Sequence, residues 1–339
     1  MTHVGIISAG AYVPKTVITS TEIAARTGIP EPVIRERFGI EQKPIPGPDD
    51  HSHAMAVRAS KDALERGGIA AEEIDVVLST TEEWKEHPLW TTSVALAYDL
   101  GATRAWGIDV QMRCGTTIAA IKLARGLMAA EPDVRTVLIA GGYRNGDFVD
   151  YENPRARFLT NLSCGGGALI LRKDHTHNRV LGVSVKVDGA FSRDVIVPAG
   201  GTVEALAPGA TPGSGRYALD VPDPEGMKAR LDDLSMKNFV AVIDDALREA
   251  GRPRTDIGYL NVLHMKRSAH DYVLRELGVD QDKSVYLSRF GHVGQQDQAI
   301  SILEGQRLGK LNDGDLMVMV AAGIGYAWAS AAVQWGPVS

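Results

Sequence analysis

The chain switches repeatedly between two hydrophobic periods. Short runs rich in Val, Ile and Leu alternate with stretches whose apolar residues recur every three to four positions. "VGIIS" reads as a strand. "TSTEIAARTG" reads as a helix with Thr19 and Glu22 at capping-box spacing, and "HAMAVRASKDALERGG" as a helix stopped by glycines. The strands "IDVVLST" and "AWGIDV" follow, then a helix over 115–130, then "TVLIAGG", "GALILRK" and "RVLGVSVKV". An irregular stretch, 189–222, rich in Gly, Pro and Ala, precedes the helix "KARLDDLSMKNFVAVIDDALREAG". The remainder reads "GYLNVLH", the helix "AHDYVLRELG", the strand "SVYL", the helix "QDQAISILEGQRLG", and the strands "DLMVMVAAG" and "AWASAAVQW". Such alternation predicts α/β layers with mostly parallel strands. A coarse order of elements recurs in the two halves without an obvious linker. We therefore expect two tightly packed, duplicated halves.

Composition narrows the functions available. A net charge of −6 and the lack of a long Lys/Arg run argue against a nucleic-acid surface. No apolar run reaches transmembrane length, and the first residues lack the charged and apolar regions of a signal peptide. Two cysteines cannot form a disulfide framework, so a reduced, cytoplasmic setting is expected. The H-x-H pairs His51/His53 and His175/His177 lie in polar loops without further ligands, so no metal is expected.

Cys114, in "DVQMRCGTTIAA", falls between a strand and a helix. The free N–H groups and positive dipole end of a helix start favour an anion, which suits a nucleophilic thiolate and an oxyanion beside it. The alternative is a small buried hydrophobe, the reading given to Cys164 in "LSCGGGALIL". Two histidines stand where a partner is needed. His264 ends "YLNVLH", and His292 sits in the glycine-marked turn "RFGHVGQQD". Open α/β sheets place their chemistry at such strand ends. Gly323, Ile324 and Gly325 in "AAGIGYAW" supply a backbone that can approach a ligand closely, and with Cys114 form the candidate oxyanion site.

Taken in order, these segments resemble the thiolase superfamily, most closely 3-oxoacyl-ACP synthase III, the FabH-like condensing enzymes. The resemblance covers nearly the whole chain. "VIRERFGIEQK" is similar to that family's R-T-G-I segment, and "IDVQMRCGTTIAAI" to its nucleophile segment. "VLHMKRS" stands where the family has H-Q-A-N, "RFGHVGQQDQAISI" where it has Y-G-N-T, and "AAGIGYAWAS" where it has G-G-G-x-T-W. The resemblance implies a five-layered αβαβα fold of two similar halves, 1–172 with the nucleophile cysteine and 173–339 with the catalytic histidines. It also implies a homodimer. The activity implied is acyl transfer and Claisen condensation. Cys114 takes an acyl group from a CoA or phosphopantetheine thioester, His264 acts as base and hydrogen-bond partner, and the acyl group passes to a carbon nucleophile. Acyl-CoA and acyl carrier protein are the implied partners, with no separate cofactor. Arg37 matches the arginine of R-T-G-I, while Arg157, Lys266 and Arg267 are candidates for phosphate or carrier contact.

Three departures from the family pattern point to specialised chemistry. His292 occupies the place of the family's Asn; a neutral imidazole can donate a hydrogen bond as an amide does. Glu82, in "TTEEW", falls where the related HMG-CoA synthases carry a glutamate, which opens a non-decarboxylative condensation as the alternative. Its plainer reading is one charge of a solvated loop. Arg113 before the cysteine and His87 before Pro88 add polarity, which suggests a short or polar acyl group. For Arg113 the alternative is a structural pair with Asp109 or Glu82. Outside catalysis, the rival is a non-catalytic thiolase-fold partner subunit; a thioester hydrolase is a further possibility.

Overall fold

The computed structural model describes residues 3–324 and 326–338. Nine strands form its large sheet: β1 (Val4–Tyr12), β2 (Val76–Ser79), β3 (Trp106–Asp109), β4 (Thr136–Tyr143), β5 (Gly165–Lys173), β6 (His177–Val187), β7 (Ile257–Val262), β8 (Leu316–Gly323) and β9 (Ala327–Pro337). Their spatial order is β3-β2-β4-β5-β1-β6-β9-β8-β7. The helices that matter here are α1 (Ser20–Thr27), α2 (Ser52–Gly67), α3 (Thr92–Leu100), α4 (Thr116–Ala130), α5 (Pro224–Ala250), α6 (Arg267–Leu277) and α7 (Asp297–Arg307).

One pairing scheme occurs twice. In the first half β2 runs parallel to β4, β4 antiparallel to β5, and β5 antiparallel to β1. In the second, β7 runs parallel to β8, β8 antiparallel to β9, and β9 antiparallel to β6. Within the sheet, among the described residues, the halves join at the pair Gly5↔Arg179 between β1 and β6. The expectation of mostly parallel strands is therefore corrected: the parallel pairs lie at the flanks and the middle is antiparallel. The segment read as the strand "SVYL" carries no strand either. It follows a short 3₁₀ turn and packs Val285 and Leu287 into the core without a ladder.

Helices cover both faces of each half. α2 and α3 pack on the first half's strands, α5 with α6 on the outside of the second, and α4 and α7 touch strands of both. This is the five-layered αβαβα thiolase-like arrangement. Burial on two faces explains why "TVLIAGGY" reads as a continuous apolar run: every residue of β4 is buried. α4 lies in the middle layer with Ile118, Ile121 and Ala124 fully buried, although the apolar Leu123 faces outward. Truncating Ile118 to Ala would cost about 2–5 kcal/mol and loosen the helix that carries the cysteine.

Candidate active site

Cys114 occupies a 3₁₀ turn, Arg113–Gly115, that leads from β3 into α4. Arg113 adopts φ +52°, a left-handed conformation that costs a non-glycine residue about 1–3 kcal/mol. Local bonds hold it there. Thr116 Oγ1 donates to Arg113 O at 2.5 Å and accepts from Met112 N–H at 2.7 Å. Against this turn lies the end of β8. A Cβ on Gly323 would sit 2.8 Å from Cys114 N and 2.7 Å from Arg113 Cβ, so only glycine fits. Gly323 thus lies against the backbone of Cys114; Ile324 follows it, and Gly325 lies outside the described residues.

The sulfur, in a side chain only 5 % exposed, lies 3.0 Å from His292 Nε2. On the other side of the ring, Nδ1–H donates to Asp297 Oδ2 at 2.6 Å. Asp297 is fully buried at the start of α7. Its Oδ2 also accepts His264 N–H at 2.8 Å, and its Oδ1 accepts Val293 N–H at 2.8 Å. Burial opposes a charged imidazole here. The Cys114 sulfur and the Asp297 carboxylate outweigh it and raise the His292 pKa well above its ordinary value. The result is a sulfur, an imidazole and an orienting carboxylate in line.

His264 is placed differently from the expectation that it serves the sulfur. Asn161 Nδ2 donates to its Nδ1 at 3.1 Å, and its Nε2–H donates to Gly39 O at 3.2 Å. Both ring nitrogens are thereby engaged away from Cys114. Burial lowers the His264 pKa to about 4, so the ring is neutral at physiological pH.

Glu82 is not part of a solvated loop: it is 3 % exposed and accepts from Asn145 Nδ2 at 2.5 Å. Its other oxygen, Oε1, is buried without a hydrogen-bond partner. Burial raises its pKa, against the opposing pull of Arg113 and Asn145. Arg113 lies 3.5 Å from Glu82 Oε2 and grips Glu83 with two N–H groups at 2.5 and 3.1 Å. The anion its guanidinium needs is therefore internal, and Arg113 is spoken for by the protein's own carboxylates rather than by a polar acyl group. Of the two structural pairs offered as the alternative for Arg113, the one with Glu82 is present and the one with Asp109 is not. Asp109 instead accepts from Lys85 and from the Thr92 and Ser93 N–H groups.

Arg37, Lys266 and Arg267 gather on one surface. Lys266 lies over the Phe38 ring at 5.8 Å, next to exposed Arg37, and Arg267 over the Tyr286 ring at 4.8 Å. Tyr286 in turn lies 5.4 Å from the His264 ring, so the patch sits just outside the buried site. Arg157 is exposed on a separate turn, and exposed His87 meets the Trp90 ring edge-on, with centroids 5.5 Å apart. Sequence reading missed Asp297, Asn161, Asn145 and Glu83. Asp297 did carry a signal, an acid five residues after His292 at a helix start.

Residues 108–189 match the family described as 3-oxoacyl-[acyl-carrier-protein] synthase III, and residues 247–335 match its C-terminal part, together half of the chain. A β-ketoacyl-[acyl-carrier-protein] synthase III of Desulfitobacterium hafniense is 28% identical, over 99% of this chain and 98% of its own. The 3-oxopimeloyl-[acyl-carrier-protein] synthase of Rhodothermus marinus is 26% identical, over 97% and 93%. Among solved structures, the β-ketoacyl-[acyl carrier protein] synthase III of Thermus thermophilus superposes with a TM-score of 0.84. That pair is 22% identical, over 98% of this chain and all of the other. With the duplicated five-layer fold and a cysteine at the start of the central helix, these matches show that the chain belongs to the 3-oxoacyl-ACP synthase III family of the thiolase superfamily.

Proposed function

We propose that the protein is a condensing acyltransferase that loads an acyl group from a CoA or carrier-protein thioester onto Cys114 and passes it to a carbon nucleophile. The observation that carries this reading is the line from Sγ through His292 to Asp297. The sulfur attacks the thioester carbonyl, and its proton is held by His292. The tetrahedral intermediate then collapses, the C–S bond to the carrier breaks, and the imidazolium returns the proton to the departing thiolate. Backbone N–H groups around Cys114 and Gly323 are the candidates for holding the oxyanion. In the second half-reaction an enolate carbon attacks the acyl-enzyme and the cysteine leaves as thiolate. The basic patch of Arg37, Lys266 and Arg267 suits the phosphates of CoA or an acidic carrier.

The decisive experiment mixes the protein with acetyl-, malonyl- and succinyl-CoA and maps the adduct by peptide mass. The expected adduct is on Cys114, and its absence with every donor would defeat the proposal. With a loaded enzyme and a malonyl extender, CO2 release marks decarboxylative carbon–carbon bond formation. An ester or amide product would move the acceptor from carbon to a heteroatom.

A second reading is favoured by one observation, the unpartnered Oε1 of buried Glu82. A carboxyl with a raised pKa beside the acyl-enzyme can abstract an α-proton, which permits condensation without loss of CO2. Under this reading acetyl-Cys114 exchanges its methyl hydrogens with deuterated water, and Glu82→Gln abolishes the exchange while leaving acylation intact. Exchange that survives in Glu82→Gln would remove the carboxylate from the mechanism.

We also propose a homodimer joined along β3. This strand ends the sheet with an unpaired edge, and beside it Trp106, Ile108, Val94, Tyr98 and Leu89 are exposed. Such an edge needs cover, and a second copy supplies a matching one. Sedimentation should give a dimer for the native protein and a monomer for Ile108→Asp; a native monomer at micromolar concentration would refute it.

A further inference from the structure

Lys43 is 1 % exposed, and among the described residues it has no carboxylate partner. It lies on the short strand Gln42–Pro44, which pairs with Val17–Thr19. A buried ammonium without a counter-ion is expensive, so its bonds need an explanation. Nζ donates to Thr160 O and to Leu162 O, both at 2.6 Å, and faces the Tyr151 ring at 5.1 Å. The two carbonyls flank Asn161. That residue touches both histidines: its side chain donates to His264 Nδ1, and its carbonyl accepts His292 N–H at 2.8 Å. Ser163 N–H returns to His292 O at 2.9 Å, and Ser163 Oγ donates to Pro44 O at 3.0 Å. The approach is so close that a Cβ on Gly291 would lie 2.7 Å from Asn161 O and 2.9 Å from Lys43 Cβ.

From this geometry we infer that Lys43 is a positioning residue, clamping the Asn161 peptide so that one short segment sets both imidazoles of the site. An apolar side chain of similar length fills the space but leaves two buried carbonyls unpaired. A glutamine offers donors without charge. The groups facing Nζ are Tyr151, Cys164, Arg26 and His264; burial pulls its pKa down to about 7, with Cys164 opposing and Arg26 assisting. The inference rests on the reading that Cys114 and His292 form the reacting centre, and its test is chosen to stand apart from that reading.

The test compares native protein with Lys43→Met and Lys43→Gln. It uses histidine ring ¹⁵N resonances, thermal unfolding, and the pH profile of Cys114 alkylation by iodoacetamide resolved by peptide mass. In Lys43→Met the His264 and His292 ring resonances should both shift and the alkylation profile should move. Cys114 acylation should fall about tenfold or more, the loss expected when buried carbonyls lose their donor. Lys43→Gln should recover part of each. Native ring resonances and a native profile in Lys43→Met would overturn the inference. Should that variant fail to fold, the same native result in Lys43→Gln would overturn it. Shifted rings in protein whose native form accepts no acyl group would sink the proposed function and leave the clamp standing.

Discussion

Asp297→Asn is expected to slow acylation of Cys114 by roughly 10²- to 10⁴-fold, the loss seen when the orienting carboxylate of a nucleophile–imidazole relay becomes an amide. The carboxylate receives three N–H groups: His292 Nδ1–H and His264 N–H on Oδ2, and Val293 N–H on Oδ1. An amide has one acceptor to offer. If its nitrogen takes the place of Oδ2, it faces His264 N–H and forces His292 into the tautomer with the proton on Nε2, which then cannot accept from sulfur. If its nitrogen takes the place of Oδ1, it opposes Val293 N–H. One buried conflict follows in either orientation, and the raised pKa of His292 loses a principal support. Rapid-quench mass spectrometry of the Cys114 peptide measures the effect, and a native rate in Asp297→Asn would show that the carboxylate only supports the turn. Asp297→Ala is the harsher change: each of three buried donors left unpaired costs about 1–3 kcal/mol, enough to threaten folding.

What the sequence made legible was local. The Thr19–Glu22 capping box is present at the start of α1. Cys114 stands at a strand-to-helix turn because the switch from "WGID" to "TTIAAI" is a change of period, readable within ten residues. Pairing is not local. β1 pairs with β5, with partners such as Val4 and Lys173, and no pattern inside either strand encodes that direction. The parallel expectation failed there, because helix–strand alternation constrains neighbours in sequence and not the strands that close the middle of the sheet. The site divided in the same way. Cys114 and His292 were found from their own turns, whereas Asn161, Asn145 and Glu83 matter only through contacts with residues 30 or more positions away. Glu82 carried a further ambiguity. Its neighbours Glu83, Lys85 and Glu86 look like a solvated run, yet the chain folds so that the first acid points inward and the second outward toward Arg113.

His292→Asn tests how far the relay departs from the amide that the family pattern places at this position. A carboxamide has nearly the right reach to donate toward Sγ or a substrate carbonyl, but it cannot take up the sulfur's proton. Acylation should therefore fall by roughly 10²- to 10⁴-fold, the usual contribution of a positioned general base, and should climb with pH as hydroxide takes over. Decarboxylation asks for something else: hydrogen-bond donors on an extender's carbonyl, which an amide supplies as well as an imidazole. In protein acylated beforehand with excess thioester, CO2 release from a malonyl thioester should thus survive far better than the acylation step. The double variant His292→Asn with Asp297→Asn should be no slower in acylation than His292→Asn alone, because the carboxylate reaches the sulfur only through the ring. Losses that instead multiplied would mean that Asp297 acts by another route, and the backbone N–H groups of His264 on Oδ2 and Val293 on Oδ1 are the ones the geometry offers.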